Sequence, residues 1–231
     1  LRAEGELDNT LIFFFGDNGR CNLRGKQWCY DQGLSVPLIV AWPGRIEPGV
    51  ETRLVSLIDV AATTLNAASV LPPPVMDGRD LFDVAIPPRD CIFGSRDRCD
   101  TTRDRVRAVR TNRYKYIRNY MPENPYTAHN AYIEGWYPAL KVLKERAAAG
   151  TLTPEQQPFM AARKPNEEFY DLESDPHEVH NRADDPALAP VLAVLVPELL
   201  LVGELPLPDA PVLLASCFEA PRPPARAPPA A

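Results

Sequence analysis

Two short runs of residues could together hold a doubly charged oxyanion. Gly16-Asp17-Asn18-Gly19 follows the apolar run Thr10–Phe15, and Arg24-Gly25-Lys26 comes a few residues later. Asp17 and Asn18 supply a carboxylate and an amide carbonyl, hard oxygen donors suited to Ca²⁺ or Mg²⁺. A lysine ammonium beside a divalent metal makes a cradle for a dianion such as sulfate or phosphate. Read as residues alone, the same letters also fit an ordinary Asp-Asn-Gly turn and a solvated surface cation.

Positioning these groups falls to the elements around them. Thr10-Leu11-Ile12-Phe13-Phe14-Phe15 is continuous, apolar and β-prone, which predicts a strand covered on both faces within a parallel sheet. Asp17 and Asn18 would then sit at its carboxyl end, where open α/β sheets bind their ligands. The run Val36–Trp42 predicts a second strand, with Pro37 at its start. Residues 56–68 predict a helix, closed by Leu71-Pro72-Pro73-Pro74. Beyond residue 90, Val106–Arg110 and Tyr114–Arg118 flank Thr111-Asn112-Arg113 and predict an antiparallel hairpin. Trp136–Ala149 reads as a short helix, and Thr153-Pro154-Glu155-Gln156 has the residue order of a helix start. The apolar stretch 188–207 is interrupted by Pro190, Pro197 and Pro206, which favours a docked helix or buried tail over a bilayer span. From Pro221 onward the Pro/Ala-rich end predicts disorder.

Composition narrows the class. The 231 residues are 45% apolar and 24% charged, which excludes a collagen-like, wholly disordered or membrane-embedded chain. Lys and Arg number 25 against 31 Asp and Glu, a net charge of −6, so nucleic-acid affinity would need a local basic patch. One stretch qualifies: nine Lys and Arg against three Asp between Arg96 and Arg118, interleaved with Tyr114 and Tyr116. The expected reading is a solvated sheet face, with a basic rim for a sulfated glycan as the alternative; no recognised nucleic-acid module accompanies it. Cys21, Cys29, Cys91, Cys99 and Cys217 form no zinc-like spacing and are expected to be buried and unpaired. His129, His177 and His180 fall in loops and are expected to be exposed. Leu1-Arg2-Ala3-Glu4-Gly5 carries no apolar leader and reads as an entry point within a longer protein, so localisation and oligomeric state are not legible.

Five blocks in order resemble the sulfatase family of the alkaline-phosphatase-like superfamily. They are Thr10–Gly19; Arg24-Gly25-Lys26-Gln27-Trp28 on through Val36-Pro37-Leu38-Ile39-Val40; Leu57–Leu65, with Ala62 where proline is usual; Met76-Asp77-Gly78-Arg79-Asp80-Leu81; and Glu168–Asn181. The arrangement around Gly25-Lys26-Gln27-Trp28 is most similar to heparan N-sulfatase-like members. The resemblance implies an α/β fold: the C-terminal part of an alkaline-phosphatase-like sheet core over residues 1–90, then a small antiparallel β subdomain with helices over 91–186. A docked apolar segment at 187–220 and the tail 221–231 would follow. It further implies Asp17 and Asn18 as two Ca²⁺ ligands, Lys26 as the group binding sulfate oxygens and supporting the leaving group, and Arg20 touching substrate. The implied reaction is hydrolysis of a sulfate ester or sulfamate of a small molecule or glycan, with no nucleic-acid partner and no membrane span. The family's formylglycine arises from Cys or Ser in Cys/Ser-x-Pro-x-Arg, and no cysteine here has that setting. The early Asp-Asp metal pair and the mid-chain His/Lys are also missing, so this chain alone is expected to turn over no sulfate ester. The alternatives are a non-catalytic remnant and a phosphodiesterase or phosphonate hydrolase of the same superfamily.

Overall fold

Two antiparallel sheets organise the computed structural model, which describes residues 1–203. The first is a ribbon of β1 (Ile12–Phe15) and β2 (Leu38–Ala41), with Phe14 opposite Ile39 and Phe15 opposite Leu38. The second has the order β3-β4-β5-β6, formed by Ile92–Cys99, Thr102–Arg110, Tyr114–Asn119 and Glu167–Asp171. The helices are α1 (Asp31–Leu34), α2 (Ile58–Ala67), α3 (Ala131–Trp136), α4 (Pro138–Ala148), α5 (Gln157–Met160) and α6 (Ala189–Gly203). The result is the expected α/β class with an antiparallel β portion and helices.

The ribbon corrects one expectation. Its apolar run predicts a parallel strand covered on both faces, yet β1 and β2 run antiparallel, and Phe14 and Ile39 are 65% and 59% exposed. Parallel strands need a crossover that returns the chain to the same end. Here residues 16–37 double back instead, and the amides of Gly16, Gly19 and Arg20 bond the carbonyls of Pro37, Gly33 and Gln32, prolonging the ribbon into the loop.

The larger sheet buries both faces by simple alternation. Val106, Ala108, Ile117 and Tyr170 face Trp28, Tyr30, Tyr126 and the inward residues Ile133, Leu140 and Phe159 of α3, α4 and α5. Val109, Tyr116 and Phe169 face the other way, onto Leu195 and Leu199 of α6. Burial of side chains this large stabilises by about 1.5–3 kcal/mol each.

The basic hairpin is not the solvated face that its composition predicts. Arg107 is buried and pairs with Asp97 at 2.6 Å; Lys115 is fully buried between Asp31 at 2.5 Å and Glu178 at 2.7 Å. Arg110 bonds Asp31 from two of its nitrogens, and Lys164 pairs with Asp104 in the interior. A charge withdrawn from water must be matched, and the carboxylates come from Asp97 and Asp104 of the same sheet, Asp31 of α1 and Glu178 of a distant turn. Smaller differences follow from local chemistry. Pro138 begins a new helix, so Trp136–Ala149 splits into α3 and α4 at Tyr137. The expected start at Thr153 is a turn, with Gln156 Oε1 accepting from the Thr153 amide at 3.1 Å, and α5 begins only at Gln157. Cys29 and Cys99 are buried as expected, whereas Cys91 is half-buried and Cys21 exposed; Cys217 and the expected tail lie outside the described residues. His129, His177 and His180 are exposed. Among the described residues no helix is long and apolar enough to cross a membrane.

Candidate anion and metal site

The loop between β1 and β2 is wound tightly enough that three glycines are obligatory. A Cβ on Gly19 would overlap the carbonyl oxygens of Gln32 and Gly33; one on Gly25 would overlap that of Arg20; one on Gly33 would overlap those of Gly25 and Trp28. The Lys26 amide bonds the Arg20 carbonyl at 2.7 Å, bringing the Arg24–Lys26 turn against the Asp17–Arg20 turn. Arg24 and Gln27 adopt left-handed backbones, φ 62° and 88°, which cost about 1–2 kcal/mol each for side-chain-bearing residues.

Tethers to the larger sheet offset that strain. Arg24 Nη2 donates to the Glu178 carbonyl at 2.5 Å while its guanidinium lies 4.1 Å over the Tyr30 ring. Tyr30 donates its hydroxyl to Glu168 at 2.7 Å, and the Asp31 amide donates to Glu178 Oε2 at 2.6 Å. Glu168 also accepts from Tyr126, Tyr170 and Asn119, which satisfies a carboxylate buried without a direct cation partner among the described residues. Burial and the Glu168 charge push the Tyr30 hydroxyl well above its ordinary range. Burial also works to raise Asp31, but Lys115 and Arg110 outweigh it and hold the carboxyl below its ordinary value. Glu178 goes the other way: its burial raises it despite Lys115.

On this scaffold Asp17 and Arg20 are exposed, and Asn18 and Lys26 are half-buried. Asn18 Nδ2 donates to the Gly19 carbonyl at 2.7 Å and stands 3.9 Å from Cys21 Sγ, which commits the amide nitrogen and leaves the carbonyl oxygen for another partner. The Asp17 side chain makes no hydrogen bond or ion pair among the described residues. Lys26 has no carboxylate partner among them either; its Nζ lies 5.4 Å over the ring of Tyr132. No group of three or more His, Cys, Asp or Glu is placed to hold a metal among the described residues. Asp17 and Asn18 therefore fit as two of the roughly 6–8 oxygens that Ca²⁺ takes, not as a whole site. Sequence reading missed Tyr132, Glu168 and Glu178. Glu178 lies in the Asp-Pro-His-Glu turn, and only its apposition to a buried lysine distinguishes it from Glu173 and Asp175 nearby.

Comparison with known proteins agrees with this architecture. Residues 19–131 match the family described as N-sulphoglucosamine sulphohydrolase, C-terminal. The chain is 38% identical over 201 residues to an ulvan-active sulfatase of Formosa agariphila, covering 86% of this chain and 34% of that protein. It is 29% identical to human N-sulphoglucosamine sulphohydrolase, covering 84% and 41% respectively. Among solved structures, one described as in complex with its substrate D-glucosamine-2-N,6-O-disulfate superposes with a TM-score of 0.58 at 22% identity, covering 87% of this chain and 35% of the other. A phosphonate monoester hydrolase from Silicibacter pomeroyi gives 0.59 at 22% identity, covering 87% and 36%. The chain thus spans about a third of the length of the relatives it matches. Order of motifs, antiparallel sheet and these likenesses agree: the chain belongs to the sulfatase family and corresponds to its C-terminal portion.

Proposed function

We propose that this chain contributes part of the sulfate-binding site of a sulfatase hydrolysing sulfate esters or sulfamates of a glycan. The observation that carries the reading is a contrast within one loop. Its backbone is closely bonded and one of its cations, Arg24, is engaged, yet Asp17 and Lys26 keep a carboxylate and an ammonium without polar side-chain partners among the described residues. Asp17 and the Asn18 carbonyl would hold Ca²⁺, which when bound neutralises charge growing on the sulfuryl oxygens. Lys26 donates hydrogen bonds to the sulfate oxygens and steadies the departing oxygen. Arg20, exposed on the same loop, would meet the rest of the substrate. No nucleophile is assigned to this chain, because no Cys/Ser-x-Pro-x-Arg occurs in it.

The likeness to a phosphonate monoester hydrolase supports a second reading, in which the same groups hold a phosphonate. Calorimetric titration tests both. Calcium is expected to bind weakly, in about the millimolar range for so few ligands, and the heat is expected to vanish in Asp17→Ala. With Ca²⁺ present, sulfate is expected to bind more tightly than methylphosphonate, and Lys26→Ala to lose sulfate binding. Absence of heat at millimolar Ca²⁺ overturns the metal assignment, and a preference for methylphosphonate overturns the sulfate assignment. Turnover of an aryl sulfate by the chain alone would refute the view that its catalytic nucleophile is not supplied here.

A further inference from the structure

Helix α3 sets two aromatic rings one turn apart, at positions i and i+4, on one of its faces. Tyr132 lies beneath Lys26, with its ring meeting Tyr137 edge-on at 5.8 Å between centroids. Trp136 follows on the same stripe and is 74% exposed, the indole standing in solvent. A lone exposed aromatic needs no explanation, but this one is held on a short helix fixed at several points. Asn130 caps α3 by accepting from the Ile133 amide at 3.0 Å and anchors it by donating to the Cys99 carbonyl at 3.0 Å. The Tyr132 amide donates to Asp100 at 3.2 Å. Between the two rings in sequence, Glu134 is bonded to Lys144 at 3.1 Å and to His129 at 2.9 Å, so its charge is matched while its oxygens remain at the surface.

A sugar ring is complementary to such a surface. One face of a pyranose presents C–H groups that lie flat on an aromatic ring, and its rim presents hydroxyls that seek charged or amide partners. A sulfate on the neighbouring residue would carry the opposite charge to Lys26. We infer that Trp136 forms a stacking platform for a pyranose ring of a sulfated polysaccharide, adjoining the sulfate that Lys26 grips, while Tyr132, half-buried against the core beneath Lys26, fixes the helix at that end. The inference rests on the sulfate-binding reading of Lys26, and it assigns the glycan backbone to α3.

Calorimetry on the full chain, with ulvan as the sulfated probe and dextran as the unsulfated one, separates the two ideas. Trp136→Ala is expected to weaken ulvan binding about five- to tenfold, at low salt and at about 0.5 M salt alike, and Trp136→Phe to keep most of the affinity. Lys26→Ala is expected to weaken ulvan binding chiefly at low salt and to leave the weaker dextran binding unchanged. If Trp136→Ala binds ulvan as tightly as the wild type while Lys26→Ala does not, the sulfate reading survives and the platform is wrong. If Trp136→Ala loses both glycans and Lys26→Ala loses neither, the platform stands and the sulfate reading falls. A wild-type chain that binds neither glycan overturns the platform.

Discussion

The β3–β6 sheet and the β1–β2 ribbon treat the same kinds of residue in opposite ways. In the larger sheet, Lys115, Arg107 and Lys164 are buried, and each meets a carboxylate within 2.7 Å. In the ribbon and its loop, Phe14 and Ile39 stand in solvent, and Asp17 and Lys26 lack ion-pair partners among the described residues. A two-stranded ribbon is marginal by itself. What holds the loop in shape is the sheet next to it, through Arg24, Tyr30 and Asp31 reaching Glu178, Glu168, Lys115 and Arg110. The region bearing the candidate chemistry thus takes its rigidity from the region that bears none.

Breaking that dependence at its centre is expected to have the largest effect. Lys115→Met leaves Asp31 and Glu178 facing each other without their shared cation, at a cost of about 3–5 kcal/mol. Urea denaturation measures the loss, and hydrogen exchange at the Gly19 and Arg20 amides is expected to accelerate as the loop comes free. A loss below about 1 kcal/mol would mean that the loop does not depend on the sheet in this way.

The next substitution sharpens the contrast by acting on the loop alone. Gly33→Ala forces a methyl group onto the carbonyl oxygens of Gly25 and Trp28, which backbone atoms cannot yield cheaply. The expected cost is about 1–3 kcal/mol, confined to the loop. Sulfate binding should fail while the amide exchange of β4 and β5 stays at its wild-type rate. Equal loosening of sheet and loop would show instead that the two are one cooperative unit.

These two regions also differ in how much of them the sequence discloses. The strand runs, the Thr111-Asn112-Arg113 hairpin and α2 are local patterns, and they are legible because residues a few positions apart determine them. That Asp17, Asn18, Arg20 and Lys26 lie near one another is legible for the same reason: one loop carries them all. The antiparallel sense of β1 and β2 is not, because it depends on how the Gly-rich loop folds back rather than on the apolar run. The fate of the basic residues is equally hidden. Lys115 reads as one more solvated cation until Asp31, 84 positions away, is brought against it. Arg24 reads as one cation of a glycine-containing stretch until the Glu178 carbonyl, 154 positions away, receives it. Tyr132 lacked any signal beyond its i,i+4 spacing to Trp136, which gains meaning only with Lys26 overhead.

The smallest expected effect is a slope rather than a loss. Burial raises the Glu178 carboxyl above its ordinary 4.5, Asp31 adds to the rise, and Lys115 only partly opposes them. Between 4.5 and that raised value the folded chain therefore holds a proton that the unfolded chain has released. Stability linked to Glu178 is complete below 4.5 and falls as pH climbs through the raised value. Asp31 has the opposite sense: its carboxyl is held below 3.8, so its contribution is present above 3.8 and is lost only as pH drops through the lowered value. Glu178→Gln removes the first titration and keeps the second. Above pH 4.5 Asp31 is ionised in folded and unfolded chains alike, so it cancels from the comparison. The stability of the wild type relative to Glu178→Gln should accordingly decline from pH 4.5 upward and then level off, read from urea midpoints taken up to about pH 8. A relative stability that climbs with pH would mean that Lys115 governs Glu178 more strongly than burial does, and that the tether is an ordinary ion pair.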